Sequence, residues 1–196
     1  MLKQLIIASA LLSSVSAFAK VETLQVDPAA SKIVYVGKKV TGQHTGEVKI
    51  ANGTMNFDGA EFKGADITID MTTINNTDLT DAEYNKKFVT HMNSDDFFAT
   101  AKFKTARLVT KTVKKVKGDV YAVTGDLTIK GQTHPLPLKD GETFSVEVTR
   151  DGAVAVISFD RTKYDVKYGS GKFFQGLGDK MINDDVQLTV TLKTKK

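Results

Sequence analysis

The chain has 196 residues, a formal net charge of +4 and no cysteine. The absence of cysteine excludes disulfides, thiolate zinc sites and cysteine nucleophiles, so an apolar core must stabilise the fold by itself. The lysines and arginines are scattered along the chain, which argues against a nucleic-acid-binding face. Their densest run, Lys111 to Lys117, is typical of a solvated hairpin end, and its alternative role is contact with an anionic membrane surface or lipid headgroup.

The first nineteen residues have the order of a secretory signal peptide. Lys3 precedes an apolar run from Leu5 to Leu12, and small residues follow as far as Ala19. The apolar run is far shorter than the ~20 residues that span a bilayer. We therefore expect cleavage after Ala19 and a periplasmic or secreted protein in which residues 20–196 form a single domain.

Alternation of apolar and polar residues dominates the rest of the chain. It predicts strands at 32–37, 65–71, 101–109, 121–129 and 186–192, a pattern typical of an antiparallel sandwich or barrel. A barrel is favoured because it leaves no long strand edge exposed. The predicted fold class is therefore all-β, an antiparallel β-barrel of about eight strands.

Two glycine dipeptides predict tight hairpins. Asn52-Gly53 and Asp151-Gly152 each lie between two alternating segments and carry the strongest short-range turn signal. A two-residue loop at the second dipeptide fixes the strand register on both sides of it. That register pairs Val148 with Ala155, Phe144 with Phe159 and Glu142 with Arg161.

One helical segment interrupts the strands. Thr80 and Glu83 have the spacing of a capping box, and Leu79 and Tyr84 have that of a hydrophobic staple. Apolar side chains then recur at helical spacing, which gives the segment one apolar face. The pattern predicts one short helix over about residues 81–92 that covers an opening of the barrel.

Five motifs follow one another over nearly the whole chain after residue 26. They are Asp27-Pro28-x-x-Ser31, Lys39-Val40-Thr41-Gly42-x-His44-x-Gly46, His91-Met92-x-Ser94-Asp95-Asp96-Phe97-Phe98, the segment Val123 to Gly131, and Asp160-Arg161-Thr162-Lys163-Tyr164 through Leu177-Gly178-Asp179. Each motif is weak alone, but the ordered set is specific. The chain resembles the YceI family, secreted or periplasmic lipocalin-like barrels associated with binding polyisoprenoids and other long-chain amphiphiles.

The resemblance implies an apolar tunnel that holds an isoprenoid-type or fatty amphiphile, such as a polyprenyl or quinone tail. Burying an extended chain is worth roughly 0.8 kcal/mol per CH₂, so such binding requires no catalytic group. The predicted function is that of an exported lipid-binding protein that holds its guest non-covalently for transport, storage or sequestration. We expect no enzyme activity and no cofactor other than a bound isoprenoid, quinone or fatty amphiphile.

Aromatic and large apolar side chains are the candidates for the tunnel wall. The alternative is that they fill a solid core, as the side chains of small barrels often do. The candidates are Tyr35, Met71, Tyr84, Phe88, Phe97, Phe98, Phe103, Leu127, Ile129, Phe144, Phe159, Tyr164, Phe173 and Phe174.

Three polar residues are candidates for anchoring the guest's polar end: Arg161, His44 and His91. A guanidinium beside an apolar lumen is suited to a phosphate, quinone or carbonyl oxygen. The alternative for Arg161 is a structural ion pair with Glu142 or Asp160, and for His91 a hydrogen-bonded structural role. The scattered histidines lack the spacing of a metal site.

Two other functions remain open from the sequence. The first is an enzyme acting on a lipid-linked substrate, with Asp95, Asp96, His91 and Arg161 as its polar groups. The second is a partner-binding module with a filled core and an exposed docking surface. The expected partner is a hydrophobic small molecule, with transient membrane contact and no nucleic acid, while the oligomeric state, a dimer included, stays open.

Overall fold

A computed structural model of the chain describes residues 21–137, 139 and 141–196, and the predicted signal peptide lies outside this part. The described residues form ten strands: β1 (Val21–Gln25), β2 (Lys32–Lys39), β3 (Gly42–Asp58), β4 (Glu61–Asp70), β5 (Thr105–Lys117), β6 (Val120–Ile129), β7 (Gln132–Leu136), β8 (Phe144–Thr149), β9 (Gly152–Asp160) and β10 (Ile182–Lys193). They also form one α-helix, α1 (Ala82–Asn93), and three 3₁₀ helices: Met71–Thr73, Arg161–Tyr164 and Gly178–Lys180.

Eight of the strands close into an antiparallel barrel. Neighbours follow the order β3, β2, β10, β9, β8, β6, β5 and β4, and β4 pairs again with β3 to complete the ring. β1 pairs with the far end of β3, and β7 pairs with the part of β6 that β8 does not reach. The predicted all-β barrel with one covering helix is confirmed.

The inward face of the barrel follows from the two-residue period of its strands. In β6 every second residue from Tyr121 to Ile129 is buried, and the residues between them are only half-buried. Four of the predicted strands lie within or overlap closely with observed ones. The strand predicted at 101–109 begins later, at Thr105, because residues 101–104 belong to the turn after α1.

The predicted hairpin at Asn52-Gly53 is wrong. β3 runs through both residues, with an irregularity in its pairing to β4 between Ile50 and Asn52. Gly53 instead allows the backbone of β3 to lie close to the Ile67 side chain, since a Cβ there would lie 2.7 Å from Cδ1 of Ile67. The extra residue in the ladder is a β-bulge, which bends a long strand without ending it.

The second predicted hairpin exists, but its register is shifted by two residues. Val148 pairs with Ala153, so the turn residues are Arg150 and Asp151. The predicted pairings of Val148 with Ala155, Phe144 with Phe159 and Glu142 with Arg161 are therefore wrong. Glu142 forms an ion pair with Lys139 at 2.8 Å instead.

The predicted helix is confirmed, although its cap differs from the prediction. Asp81 is the N-cap, and its Oδ1 accepts from the backbone N–H groups of Glu83 and Tyr84, each at 2.9 Å. The predicted staple is absent because Tyr84 is 66% exposed. No residue of α1 is fully buried. The helix is therefore a lightly packed cover.

Candidate binding site

An apolar cavity of about 140 Å³ fills the half of the barrel beneath α1. Its walls come from inward-facing strand residues, from two helix residues and from the segment that follows α1. The apolar lining side chains are Ile33, Tyr35, Val48, Ile69, Met71, Ile74, Phe88, Met92, Phe97, Phe98, Ala106, Leu127, Ile129, Phe159, Ile182, Val186 and Leu188. We call this space the first chamber.

A second, smaller cavity of about 60 Å³ lies in the other half of the barrel. Four aliphatic side chains line both cavities, and we call them the waist: Ile33, Ile69, Leu127 and Leu188. Beyond the waist, the second chamber is lined by residues such as Met55, Phe144 and Val190. The lumen is thus two apolar chambers in series.

Aromatic side chains close the end of the barrel that lies furthest from α1. The ring centroid of Phe62 lies 5.8 Å from that of Phe57 and 5.6 Å from that of Tyr121. The Tyr121 hydroxyl accepts from the backbone N–H of Phe62 at 3.3 Å. Met55 and Phe57 have no exposed surface. This end is packed like an ordinary protein core.

Tyr35 contributes its ring to the first chamber, while its hydroxyl is occupied by the protein. The hydroxyl donates to the carbonyl oxygen of Asn75 at 2.6 Å. Burial, and then the charge of Asp78, raise the pKa of Tyr35, so the phenol stays neutral. Gly46 makes room for it, because a Cβ there would lie 2.4 Å from the Tyr35 hydroxyl oxygen.

His44 lies on the wall of the first chamber, at the mouth. Its Nδ1 is 3.2 Å from Oδ2 of Asp78, and its ring centroid is 4.7 Å from that of Phe88 on α1. The histidine therefore links the barrel rim to the helix that covers it. Lys38 and Lys39 join it on the wall.

Arg161 also borders the first chamber, but backbone carbonyls take up its donors. Nε donates to Asn183 at 3.0 Å and Nη2 to Ile182 at 3.1 Å. Nη1 donates to Val166 at 2.8 Å and to Tyr168 at 2.9 Å. With the residue only 2% exposed, the guanidinium fastens the loop after β9 to the start of β10.

Two carboxylates and a lysine complete the surroundings of Arg161. Nη2 lies 3.7 Å from Oδ1 of Asp184, and Lys172 Nζ bridges Oδ2 of Asp184 at 3.0 Å and Oδ2 of Asp160 at 2.9 Å. Burial lowers the pKa of Arg161 against the opposing effect of the two carboxylates. Burial alone would raise the pKa of Asp160, but hydrogen bonds from Thr162 and Lys172 outweigh it and lower the pKa.

The structure places nine of the fourteen tunnel candidates on the chamber walls. Phe144 lines the second chamber, and Leu127 lines both. The other seven line the first chamber alone: Tyr35, Met71, Phe88, Phe97, Phe98, Ile129 and Phe159.

The structure places the other five candidates away from the chamber walls. Tyr84, Phe173 and Phe174 are 66%, 50% and 48% exposed and lie on the outer surface. Tyr164 is fully buried in the 3₁₀ helix after β9, and its ring centroid lies 5.6 Å from that of Phe159. Phe103 is half-buried beside the turn after β6.

The candidate polar groups of an enzyme do not form one cluster. His91 Nε2 lies 3.0 Å from Oδ2 of Asp96, outside the chamber wall. Asp95 instead binds Lys102 at 2.8 Å, and this lysine lowers its pKa. Arg161 is occupied as described above. Within the described part of the chain, no group of three or more His, Asp or Glu side chains is arranged to hold a metal ion.

The sequence analysis missed many of the aliphatic side chains that line the chambers. The period-two pattern of β2, β4 and β10 already marked Ile33, Ile69, Val186 and Leu188 as inward-facing. The prediction gave preference to aromatic side chains instead. Asp184 was missed because only the tertiary fold brings it to Arg161.

The sequence of the chain is similar to those of known bacterial proteins. A family model for the YceI-like domain matches residues 24–194. A UPF0312 protein of Shewanella denitrificans is 37% identical over 89 residues, which is 45% of this chain and 44% of the relative. Protein YceI of Escherichia coli O157:H7 is 36% identical over 96 residues, 48% of this chain and 46% of the relative. The chain thus spans about half the length of the curated relatives it matches.

Solved structures share the fold. The crystal structure of Burkholderia cenocepacia BcnA aligns with a TM-score of 0.64 and 27% identity, covering 85% of this chain and 98% of that protein. A polyisoprenoid binding domain from Saccharophagus degradans aligns with a TM-score of 0.58 and 16% identity, covering 90% and 99%. The second shows the likeness of fold alone. Because the family model matches most of its length, the chain belongs to the family of YceI-like domains.

Proposed function

We propose that the protein binds an isoprenoid-type or fatty amphiphile, such as a polyprenyl or quinone tail, non-covalently inside its barrel. The proposed role is to transport, store or sequester this guest outside the cytoplasm. The observation that carries the proposal is the first chamber, an apolar space that side chains leave unfilled beneath a helix with no fully buried residue. Family relationship to YceI-like proteins, and the polyisoprenoid binding domain of similar fold, support this class of guest.

The volume of the first chamber indicates how much of the guest it accommodates. A dry apolar cavity of roughly 150 Å³ takes one benzene ring, so about 140 Å³ has room for about six carbon atoms. Burying them is worth about 5 kcal/mol before the cost of association. A longer tail must pass the waist into the second chamber or leave its remainder at the mouth.

The polar end of the guest belongs at the mouth in this proposal. Lys38, Lys39 and His44 border the first chamber there, and their nitrogen atoms suit a phosphate or carbonyl oxygen. Arg161 contributes to the chamber wall rather than donating hydrogen bonds to the guest, because four backbone carbonyls already accept from its guanidinium.

Export and membrane contact are the remaining parts of the proposal. Export rests on the signal-peptide pattern of residues 1–19, and mass spectrometry of the accumulated protein should find Lys20 at its N-terminus. None of the helices in the described residues is long and apolar enough to cross a membrane. Since long apolar guests reside in membranes, we propose that the protein contacts a bilayer transiently when it takes up or releases one.

A cavity-filling substitution tests the proposal. Gly37 of β2 borders the first chamber, and a Cβ there would meet nothing within 4 Å. Gly37→Leu should therefore fill part of the chamber without straining the barrel and weaken binding of farnesol about tenfold, as measured by titration calorimetry. Gly42→Leu is the matched control, because Gly42 also has open space but does not border the chamber.

Organic extraction of the purified protein provides an independent measurement. We expect mass spectrometry of the extract to recover an apolar chain-bearing compound from the wild type and less of it from Gly37→Leu. An empty extract together with no heat of binding for farnesol, geranylgeraniol or a fatty acid would overturn the proposal.

A further inference from the structure

We propose that the rim of the barrel mouth is a docking surface for an anionic lipid bilayer. This inference rests on the proposed function, since it names the surface through which the guest passes between membrane and first chamber. The mouth rim consists of two neighbouring segments, residues 38–40 at the end of β2 and residues 166–181 before β10.

Of the ten large apolar side chains that are exposed in the described residues, five lie on this rim. Phe173 is 50% exposed and Phe174 48%, and Tyr168 is 44% exposed. Val40 is 54% and Met181 37% exposed. Such exposure is costly in water, and a cluster of this kind marks an interaction site.

The two segments form one continuous surface around the chamber entrance. The backbone N–H of Val40 donates to the carbonyl of Met181 at 3.2 Å. Lys39 pairs with Ile182 across the strands, and both residues also line the first chamber. The two segments therefore meet beside the first chamber, where Lys39 and Ile182 line its wall.

Hydrogen bonds to backbone groups of the longer segment, residues 166–181, hold its aromatic residues in place. Arg161 bonds the carbonyls of Val166 and Tyr168, and the Ser170 carbonyl accepts from the N–H groups of Phe173 at 3.1 Å and Phe174 at 3.0 Å. Ser170 itself is fully buried. The exposure of the two phenylalanines is thus a fixed feature of a well-packed loop.

The charges of the rim favour an anionic bilayer over a neutral one. The two segments carry five lysines and a single carboxylate, that of Asp179. Lys167 and Lys172 are engaged with neighbouring carboxylates, and Lys38, Lys39 and Lys180 are exposed. Aromatic side chains with lysines beside them are the combination found where proteins meet the headgroup region.

Vesicle flotation tests the docking surface. The probes are phosphatidylcholine vesicles and vesicles of phosphatidylcholine mixed with phosphatidylglycerol. The protein is purified in the form that accumulates in the cells that produce it. We expect binding to the mixed vesicles, weakened about tenfold by Phe173→Ser with Phe174→Ser and about fivefold for each of Lys38→Glu and Lys39→Glu. The matched control is Val154→Ser with Val156→Ser, two exposed valines on the outer face of β9.

The outcomes separate this inference from the proposed function. Equal flotation of wild type and the double phenylalanine variant overturns the docking surface, and so does a wild type that floats with neither vesicle, which would favour a protein partner. Farnesol titration of the double phenylalanine variant without vesicles should give unchanged affinity, because neither side chain lines the first chamber. If farnesol does not bind but flotation depends on the rim, the proposed function fails while the docking surface stands.

Discussion

The two halves of the barrel have the same strand pattern but different packing. At the closed end, the Phe62 ring packs at a steep angle against those of Phe57 and Tyr121, and the chamber beside them holds only about 60 Å³. At the mouth, the chamber holds about 140 Å³, and its helical cover is held by half-buried Phe88 and Met92. One half therefore supplies stability, and the other half leaves room for a guest.

The closed end should account for the largest loss of stability on truncation. Phe57→Ala removes a fully buried ring from the aromatic cluster and should lower the free energy of unfolding by about 3–5 kcal/mol. Phe88→Ala removes a half-buried ring from the cover and should cost only about 1 kcal/mol. Urea denaturation of both variants measures the difference. Equal losses would contradict the division between the two halves.

Arg161 belongs structurally to the mouth, yet it should behave like a core residue. Arg161→Lys keeps the charge but loses the planar fork that reaches four carbonyls, so we expect a loss of about 2–3 kcal/mol in urea denaturation. Lys172→Met, at a side chain that is 57% exposed, is the control and should cost less. If Arg161 were instead an anchor for the guest, the lysine variant would lose affinity with little change in stability.

The waist should decide how long a tail the lumen accepts. Leu188→Ala would join the two chambers, because Leu188 borders both of them. If geranylgeraniol then buries two more CH₂ groups than before, its affinity should rise about tenfold relative to that of farnesol. Val190→Ala, which enlarges the second chamber alone, is the control. An unchanged ratio of the two affinities in Leu188→Ala would mean that the waist is no barrier.

Much of the fold was predictable because inward and outward residues alternate along each strand, as they do in β6. The two hairpin errors share a physical cause, since Gly53 and Gly152 were interpreted as turn residues where they allow close approach of another chain segment. A Cβ on Gly53 would lie 2.7 Å from the Ile67 side chain, and one on Gly152 would lie 2.0 Å from the carbonyl oxygen of Leu192. Such contacts involve strands distant in sequence, so no local pattern reveals them.

The candidate site was predictable only in part for a similar reason. Phe97 and Phe98 follow the helix and turn inward, whereas Phe173 and Phe174 form the same dipeptide and remain exposed. The sequence offers no means of distinguishing the two pairs. Their positions are set by which loop the fold places over the lumen and which it places around the mouth.

The smallest expected effect concerns the charges beneath the mouth rim. The pKa of Asp160 is lowered in the folded protein, so its stabilising contribution is present above the unfolded value of about 3.9 and is lost as the pH falls below it. Asp160→Asn keeps an oxygen that accepts from Thr162 but has no charge to titrate. The substitution should therefore reduce the loss of unfolding free energy on acidification by at most about 1 kcal/mol, since Lys172, the partner of Asp160, is largely exposed.

Urea denaturation at pH 5 and at about pH 2.5 measures this acid sensitivity. The control is Asp151→Asn, at the exposed turn between β8 and β9. We expect the difference in unfolding free energy between the two pH values to shrink in Asp160→Asn and to change less in the control. A difference as large as in the wild type would show that the charges below the rim do not stabilise the fold. The four carbonyl bonds of Arg161 would then hold the mouth without them.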